Sequence, residues 1–432
     1  MRTPLSPILL LMLCTAASGK DRAAVLGELQ SRAGHALPGT ADPKRPFRLP
    51  DGISLGDPLT PGVAVTIALA NNAALEADLA AIGIAQADVK DATLMRNPSI
   101  QTLLPVGLKP FEFLLNWPIE ELWQRKKRVL AAERSLDLLS TGLVQNGLNL
   151  IRDVQVAHAD LWLAERRRGT LEESAALRER IAELTERRRK AGDATGLDVA
   201  LALTDARSAR ELAARAQGDT QIALTRLRPL LGLRNDPRAL TAALQEPVAI
   251  PGGLVDAAYA ARPDLRAAEL AIEAAAYRAK WQRSRIFTMV SPMLSIKETG
   301  TPLKARTGPG LQMELPIFNR NQGQIARADA EVQQAAWRYA ALRDRVEGEV
   351  REASARFQQA AQSRRQLAEE VKPAVEQSIA QTEKAFRNGD ASVLNVLETT
   401  RQRFDVLLRE LDAQAAEARS RAELERSVGK KL

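Results

Sequence analysis

Two stretches of the chain alternate apolar and polar residues with the period of a β-strand. Residues 111–119 read FEFLLNWPI, with an aromatic or aliphatic side chain at every odd-numbered position, and residues 310–317 read GLQMELPI. Successive side chains of a strand point to opposite faces of the sheet, so this alternation predicts strands. Each stretch follows a second strand candidate, at 99–106 and at 287–296, which gives two predicted strand pairs.

The length of these strands is compatible with a membrane. Strands of about nine residues match the span of a tilted transmembrane strand. The alternative is an ordinary hairpin of a water-soluble protein. Four strands are too few to close a barrel, and open sheet edges cannot lie in lipid. Membrane insertion would therefore require several copies of the chain.

Helical patterns fill the stretches between the strand pairs. Residues 120–190 contain no proline and few glycines, and about 70 helical residues would extend ~105 Å. In the second half, an apolar residue or alanine recurs every seven residues, which predicts a left-handed coiled coil. Its positions are Val332, Tyr339, Val346, Ala353, Ala360, Leu367 and Ala374, and then Leu397, Phe404, Leu411 and Ala418. Pro373 is expected to bend this helix locally.

The same order of elements occurs twice. The octet GDATGLDV at 192–199 resembles GDASVLNV at 389–396, at an offset of 197 residues, and the tripeptide WPI at 117–119 resembles LPI at 315–317, at an offset of 198. Landmarks in one order at nearly one offset indicate a tandem duplication. Each repeat is predicted to contain a helix, a strand pair, a long helix, a tight turn and a returning helix. The predicted division is a signal peptide (1–19), an extended arm (20–60), a first repeat (61–250, first helix 61–95, strand pair 99–119, turn 191–199) and a second repeat (251–432, strand pair 287–317, turn 388–396).

The N-terminus has the order of a secretory signal peptide. Arg2 precedes an apolar run at 8–13 and small residues at 15–19, which predicts export with cleavage after Gly19. A lipoprotein would use Cys14 as the acylated residue, but the bulky Leu13 before it makes this alternative less favoured. No later run reaches the eighteen or so apolar residues of a transmembrane helix. The polar, proline-rich segment 20–60 lacks periodicity and is predicted to be extended.

Composition excludes several functional classes. The net charge is +8, but acids interrupt the basic residues along helical segments such as 178–180, so nucleic-acid binding is disfavoured. The one cysteine excludes disulfides and thiolate metal sites from the mature chain. Of the two histidines, His158 has no suitably spaced ligands around it. We therefore predict no enzyme activity, no cofactor and no metal site.

The two octets, the duplicated order and the Pro-Ile strand ends together resemble the TolC-like outer-membrane factor family, nearest the CzcC and CusC type that serves heavy-metal efflux pumps. The resemblance covers residues 61–429. It implies a mainly α fold with a small β part, in which three protomers build one twelve-stranded outer-membrane β-barrel, with four strands from each protomer. A long coiled-coil α-barrel would continue from it across the periplasm. The implied partners of this homotrimer are a periplasmic adaptor (membrane fusion protein), an inner-membrane RND pump and outer-membrane lipid.

The octets mark two turns between helices. Gly192 and Gly389 suit the left-handed backbone that ends a helix, and the residues after them can cap the next helix, either Asp193 or Thr195 and either Asp390 or Ser392. Good turns alone would account for the glycines. The resemblance adds that these turns form the periplasmic tip and dock the adaptor. The residues implied in docking are Gly192, Asp193, Thr195, Leu197, Gly389, Asp390, Ser392 and Leu394.

The resemblance also implies acidic residues that constrict the tunnel just after the second turn. The corresponding positions are Asn395 and Glu398. Glu398 retains the carboxylate and Asn395 departs from the pattern, so one ring of three carboxylates is expected there, to which Asp198 of the first turn could add another. Rings of acids bind cations in pores. The alternative for Glu398 is an ordinary glutamate on a solvated helix surface.

A compact basic run follows the first strand pair. It predicts a periplasmic membrane-interface girdle, in which aromatic and basic residues meet the headgroups. The candidates are Trp117, Trp123, Arg125, Lys126, Lys127 and Arg128. A solvated helix start is the alternative.

The function that these observations favour is a passive export duct of the outer membrane with a long periplasmic extension. Its cargo is expected to be heavy-metal cations supplied by the pump. The alternative within the same fold is a channel for type I protein secretion or multidrug efflux. A periplasmic coiled-coil scaffold without a pore is a more remote alternative, and an enzyme is the least favoured.

Overall fold

The computed structural model of the protein describes residues 21–34, 47, 49–50, 53–54, 57–104, 111–233, 240–244, 251–287, 289–299, 304–388 and 391–432. The predicted signal peptide and the residues Gly389 and Asp390 lie outside these ranges. The helices within them are α1 (Arg22–Ala33), α2 (Pro61–Asn71), α3 (Ala73–Thr93), α4 (Glu121–Ala191), α5 (Gly196–Leu230), α6 (Leu254–Ala261), α7 (Pro263–Ser284), α8 (Gln322–Gln366), α9 (Lys372–Asn388) and α10 (Val393–Val428). The strands are β1 (Ser99–Leu103), β2 (Glu112–Asn116), β3 (Val290–Thr299) and β4 (Lys304–Met313).

The described chain divides into two compact units. The first contains Ala81–Ser140, Ala267–Arg338 and the described residues before Ala24. The second contains Ala24–Ala80, Thr141–Arg266 and Tyr339–Leu432. The strands belong to the first unit, and the two helical turns belong to the second.

The first unit holds one antiparallel sheet in the order β1-β2-β3-β4. Ser99 lies opposite Asn116, and Val290 lies opposite Met313. The two strand pairs join through β2 and β3, where Lys297 pairs with Glu112 at 3.0 Å. The sheet therefore brings both repeats into one ladder and leaves β1 and β4 as its edges.

The position of the fourth strand differs from the prediction. The alternating stretch 310–317 placed it too late, because β4 begins at Lys304 and ends at Met313. The ladder with β3 continues through Pro309 to Lys304, and these residues carry no apolar alternation. Proline is compatible with an edge strand, where one side of the backbone needs no partner. β3 lies three residues later than predicted. β1 and β2 have five residues each and not the roughly nine predicted, although backbone hydrogen bonds to β3 continue at Phe111 and Ile119. Residues 105–106 of the first candidate lie outside the described ranges.

Two buried carboxylates at the start of α4 bond to β3 and to two arginines of the first unit. Glu120, which is 2% exposed, accepts a hydrogen bond from the backbone N–H of Val290 at 3.2 Å. Glu121, which is 1% exposed, pairs with Arg128 at 2.8 Å and with Arg96 at 3.2 Å. Because a buried carboxylate is costly without a partner, these contacts fix where the long helix begins.

The single helix predicted for 61–95 is wrong, since it breaks at Asn72 into α2 and α3, which meet at 48°. The Asn72 side-chain oxygen accepts from the N–H groups of Ala74 and Leu75, at 3.0 Å each, and its amide donates to the Leu230 carbonyl at 3.2 Å. Asparagine at a helix start satisfies N–H groups that would otherwise lack partners. Among the described residues, no single helix has the length and apolarity to cross a membrane, and only the bent pair of α2 and α3 meets that criterion jointly.

The long helices of the second unit pack along the predicted seven-residue seam, but the seam changes phase. Val346, Ala353 and Leu367 are buried, whereas Ala374 is exposed, which corrects the prediction for that position. A π-helical turn at Leu367–Val371 separates them, and the N–H of Lys372 bonds the Leu367 carbonyl five residues back. This turn inserts one residue, and the half-buried Val375 takes the seam position. The π turn therefore lies where Pro373 interrupts the hydrogen-bond ladder.

Ion pairs join α4 to α10 in antiparallel register. Arg152 pairs with Glu423 at 3.0 Å, Asp160 with Arg419 at 2.7 Å, and Arg167 with Asp412 at 3.5 Å. As residue numbers rise along α4, those of the partners fall along α10. These pairs hold two helices whose shared seam is rich in small alanine side chains.

The predicted extended arm contains a helix. In α1, Val25, Leu29 and Ala33 recur every four residues and are buried, so one face packs inward. The end of α1 contacts the C-terminus, because the Lys431 N–H donates to the Arg32 carbonyl at 2.9 Å. The prediction for 20–60 was wrong over these twelve residues, where a short apolar face was hidden among polar neighbours.

We predict that α1 depends on Gly147 of α4. A Cβ atom at that position would lie 2.6 Å from Leu29 Cδ2 and 2.8 Å from Cδ1, and Leu29 is only 1% exposed. Gly147→Ala is therefore expected to destabilise the packing of α1 by about 1–3 kcal/mol through steric overlap. Limited proteolysis would show faster cleavage within residues 21–34.

The matched control is Gly142→Ala in the same helix, where a Cβ would meet nothing within 4 Å. That variant gains helix propensity and should be cleaved no faster than the wild type. Equal cleavage of the two variants would show that the close approach of Leu29 does not hold α1.

Candidate functional site

The first helical turn ends α4 with a Schellman motif. Gly192 has φ +90°, in the left-handed region that favours glycine. Its N–H bonds the Arg189 carbonyl at 3.1 Å, and the N–H of Asp193 bonds the Arg188 carbonyl at 2.8 Å. These bonds satisfy two carbonyls at the helix end, and they confirm the left-handed backbone predicted for Gly192.

A capping box starts α5 three residues later. The Thr195 hydroxyl oxygen accepts from the N–H of Asp198 at 3.2 Å, and the Asp198 carboxylate accepts from the N–H of Thr195 at 2.9 Å and from its hydroxyl at 2.7 Å. Thr195, and not Asp193, is therefore the cap. The hydrogen bonds from the Thr195 hydroxyl and N–H hold the pKa of Asp198 below its usual range. Asp198 is thus a carboxylate engaged in the turn.

The second turn repeats this geometry only in part. The Ser392 hydroxyl oxygen accepts from the N–H of Asn395 at 3.3 Å and so caps α10. Asn395 occupies the position of Asp198 in the repeat, at the offset of 197 residues. The return bond that closes the box in the first turn is made by a carboxylate, which Asn395 lacks. Gly389 and Asp390, also predicted to contribute to this turn, lie outside the described residues.

Both turns present a leucine to solvent. Leu197 is 69% exposed and Leu394 is 57% exposed, and they occupy equivalent positions of the two repeats. One helical turn further along α10, Glu398 is exposed and receives a weak hydrogen bond of 3.4 Å from the Gln402 amide. The geometry offers two exposed apolar side chains, each two residues after a helix cap, together with an accessible carboxylate.

A buried aspartate lies below the turns and joins three helices. Asp205 of α5 has a side chain that is 2% exposed, and it accepts hydrogen bonds from Arg178 of α4 at 3.2 Å and Arg401 of α10 at 2.8 Å. Burial lowers the pKa of Arg178, against the attraction of Asp205. Nearby, the Arg188 guanidinium of α4 lies 4.9 Å from the centre of the Phe386 ring of α9. These contacts connect the two helical hairpins of the second unit.

Sequence reasoning missed this cluster although a signal was present. Asp205 lies among the buried alanines Ala202, Ala206 and Ala209 of α5. A single acid on an otherwise small and apolar face requires a cationic partner when buried. Its partners were not predictable, because Arg178 and Arg401 are 27 and 196 residues away along the chain.

The basic run after the first strand pair divides by role. Arg125 donates to the Thr93 carbonyl at 2.6 Å, and Arg128 donates to the carbonyls of Ala92 and Leu94 at 3.1 and 2.7 Å. Both arginines thus cap the C-terminus of α3. Lys126 and Lys127 are exposed, as are Trp117 and Trp123. Their predicted contact with a membrane interface stays a prediction.

His158 of α4 is a structural residue of the second unit. Its Nε2 lies 2.6 Å from the Leu59 carbonyl, beside the bridge between Leu59 and Ala242. A carbonyl only accepts, so Nε2 carries the proton, and burial lowers the pKa of the imidazole. Within the described ranges, no group of three or more His, Cys, Asp or Glu side chains is arranged to hold a metal ion.

Comparison with known proteins finds one family and one relative that match most of the chain. A family described as outer membrane efflux protein matches residues 64–233 and 254–430. The cobalt-zinc-cadmium resistance protein CzcC of Cupriavidus metallidurans is 26% identical over 300 residues, which cover 66% of this chain and 70% of that protein.

Solved structures share the fold at lower identity. CusC superposes with a TM-score of 0.71 at 20% identity, over 91% of this chain and 99% of that chain. The outer-membrane channel OprN gives the same TM-score at 18% identity, over 91% and 99%. The open state of the MtrE outer membrane channel of Neisseria gonorrhoeae gives 0.68 at 18% identity, over 85% and 88%.

Proposed function

Because the chain belongs to the outer membrane efflux protein family, we propose that it is the passive duct of a tripartite RND-type pump and that its cargo is heavy-metal cations. It is an outer-membrane efflux channel with a periplasmic helical extension, and not an enzyme. The metal cargo goes beyond the family assignment. It is proposed on the similarity to CzcC, a cobalt-zinc-cadmium resistance protein.

The open edges of the sheet support the assembly that we propose. In lipid, the N–H and C=O groups along the outer sides of β1 and β4 need partners. Three copies joined edge to edge would satisfy both edges of every sheet and give twelve strands. The proposed homotrimer would then enclose the cargo path without any further chain in the membrane.

The two capped turns support a docking role at the periplasmic tip. Leu197 and Leu394 are exposed at equivalent positions, and each follows a side-chain cap that fixes the local backbone. An apolar side chain on a rigid turn loses little conformational entropy on binding. We propose that these turns contact the periplasmic adaptor, which the inner-membrane pump requires for its connection to the duct.

Glu398 supplies the carboxylate for a proposed cation ring. The Asp198 carboxylate is bonded within its own turn, and Asn395 is neutral. Glu398 is exposed and has one weak hydrogen bond among the described contacts. In a trimer, three copies of Glu398 would form one ring of negative charge, which attracts divalent cations.

The proposal of a metal cargo is tested by a susceptibility panel. The host, a strain lacking this gene and a complemented strain would be compared on cobalt, zinc, cadmium, copper and silver ions, on dyes and on antibiotics. We expect the deletion to sensitise the host to divalent cations only, because loss of the duct stops their removal, and the wild-type gene to restore growth. Sensitivity to organic compounds alone would contradict the metal cargo and favour multidrug efflux, whereas no difference for any compound would favour type I protein secretion.

The docking role predicts that charge at the tip prevents assembly with the adaptor. Leu197→Asp and Leu394→Asp each remove an apolar contact of about 1.5–3 kcal/mol, so affinity for the host's adaptor should fall by about ten- to a hundredfold. Biolayer interferometry with the purified channel in lipid nanodiscs would measure this change. The control is Leu203→Asp, which alters another exposed leucine of α5 on a different face. Equal weakening by all three variants would contradict a specific role for the turns.

The cation ring predicts a change in channel block. Glu398→Gln should weaken block of the channel by divalent cations about tenfold, because three carboxylates are lost from one ring. Single-channel recording in planar bilayers would measure the block by zinc at fixed potassium concentration. Glu376→Gln, at an exposed position of α9, is the matched control and should leave the block unchanged. Unaltered block in the Glu398 variant would show that this glutamate is an ordinary surface residue.

A further inference from the structure

The second unit contains a cavity between its helices. Its volume is about 270 Å³. Four parts of the chain line it: α4, α8, α10 and the N-terminus of α2, with Leu244 and Lys431 completing the wall. Because elements distant in sequence build it, the cavity is a product of the tertiary fold.

Apolar side chains form part of the wall. Ala159 of α4, Phe357 of α8 and Ala418 and Ala422 of α10 contribute to it, together with Leu244. Ala159 is 1% exposed and Ala422 is 3% exposed, so this side belongs to the packed interior. A ligand would bury hydrocarbon or an aromatic ring against it.

Most charges around the cavity neutralise one another. Arg364 pairs with Glu417, and Arg421 pairs with Glu425 at 3.1 Å. Lys431 is left, with no acidic partner for its ammonium among the described residues. The cavity therefore carries one net positive charge after internal pairing.

Lys431 is exposed, and only its backbone is held by the end of α1. The Lys431 N–H donates to the Arg32 carbonyl at the end of α1, and its side chain lies over Gly34, where an added Cβ would be 3.4 Å from Lys431 Cδ. Because Lys431 also lines the cavity, its solvent-exposed ammonium offers a positive charge at the side of the apolar wall. An amphiphilic anion matches both features.

The size of the cavity limits the ligand. An apolar cavity of about 150 Å³ holds one benzene molecule, so 270 Å³ accommodates about ten non-hydrogen atoms. We propose that this cavity binds a small organic monoanion with an apolar body, in the class of medium-chain carboxylates, and that its carboxylate pairs with Lys431. None of the arguments for the duct uses this cavity, so failure of this proposal would leave the proposed duct untouched.

Calorimetry with the full chain in lipid nanodiscs tests the site without competing detergent. The probes are octanoate, 1-octanol and octylammonium, which share one chain length and differ in charge. We expect saturable binding of octanoate below about 10 mM, weaker binding of octanol and no binding of octylammonium. Heat that does not saturate and equals that of empty nanodiscs would overturn the proposal, as would equal binding of octylammonium.

Two variants and a control locate the binding. Lys431→Gln should weaken octanoate about tenfold, since it removes the counter-ion, whereas Lys430→Gln, at an exposed lysine outside this cavity, should leave the affinity unchanged. Ala418→Leu fills the cavity and should abolish binding while Lys431 is retained. Wild-type affinity in either the Lys431 or the Ala418 variant would overturn the proposal, and the Ala418 result decides it if the Lys431 variant does not fold.

Discussion

The N–H and C=O groups at the two edges of the sheet must find hydrogen-bond partners before the sheet can lie in a membrane. The rest of the structure depends on this requirement. A strand in lipid cannot obtain hydrogen bonds from water, and each unpaired N–H or C=O costs several kcal/mol. One chain contributes β1 to β4 in a single ladder and leaves two edges. The tandem repeat is the means by which one chain supplies two strand pairs, since β2 of the first repeat hydrogen-bonds β3 of the second. The sheet is therefore complete in a membrane only when copies of the chain meet at their edges.

The long helices also need partners, because each must bury an apolar seam against its neighbours. A 71-residue helix such as α4 meets its own backbone needs but cannot bury its apolar seam alone. Alanine positions allow close approach and offer little apolar area, so polar contacts between helices become important. Asp205 and its two arginines provide such contacts near the turns, and the pairs between α4 and α10 continue them along the helices. Removing both arginines from Asp205 would leave a buried carboxylate without a cation, which costs more than the pair contributes.

Features of the fold that depend on neighbouring residues were predictable from the sequence. Features that depend on contacts between distant residues were largely missed. The glycine at 192 and a cap at either Asp193 or Thr195 were predictable because a turn is determined by its own few residues. The break at Asn72 was missed because its amide binds Leu230, far along the chain. The seam position after Leu367 was predicted one residue too early. A strict seven-residue spacing does not allow for the one residue that the π turn inserts. The place of β4 was missed because pairing with β3, and not alternation, sets its start.

The two repeats use the acid near their turns differently. In the first repeat the carboxylate stabilises the turn, and in the second it does not. In the first turn, the Asp198 oxygen that closes the capping box accepts two hydrogen bonds from Thr195. That oxygen is engaged, and a cation would have to compete with the turn for it. In the second turn, the equivalent residue is Asn395, and the acid is Glu398, three residues further along α10. Glu398 lies beyond the first turn of α10, and the cap does not use it. Because the cap does not use the Glu398 carboxylate, a cation can bind it without breaking the cap, and the proposed ring is therefore assigned to Glu398 and not to Asp198.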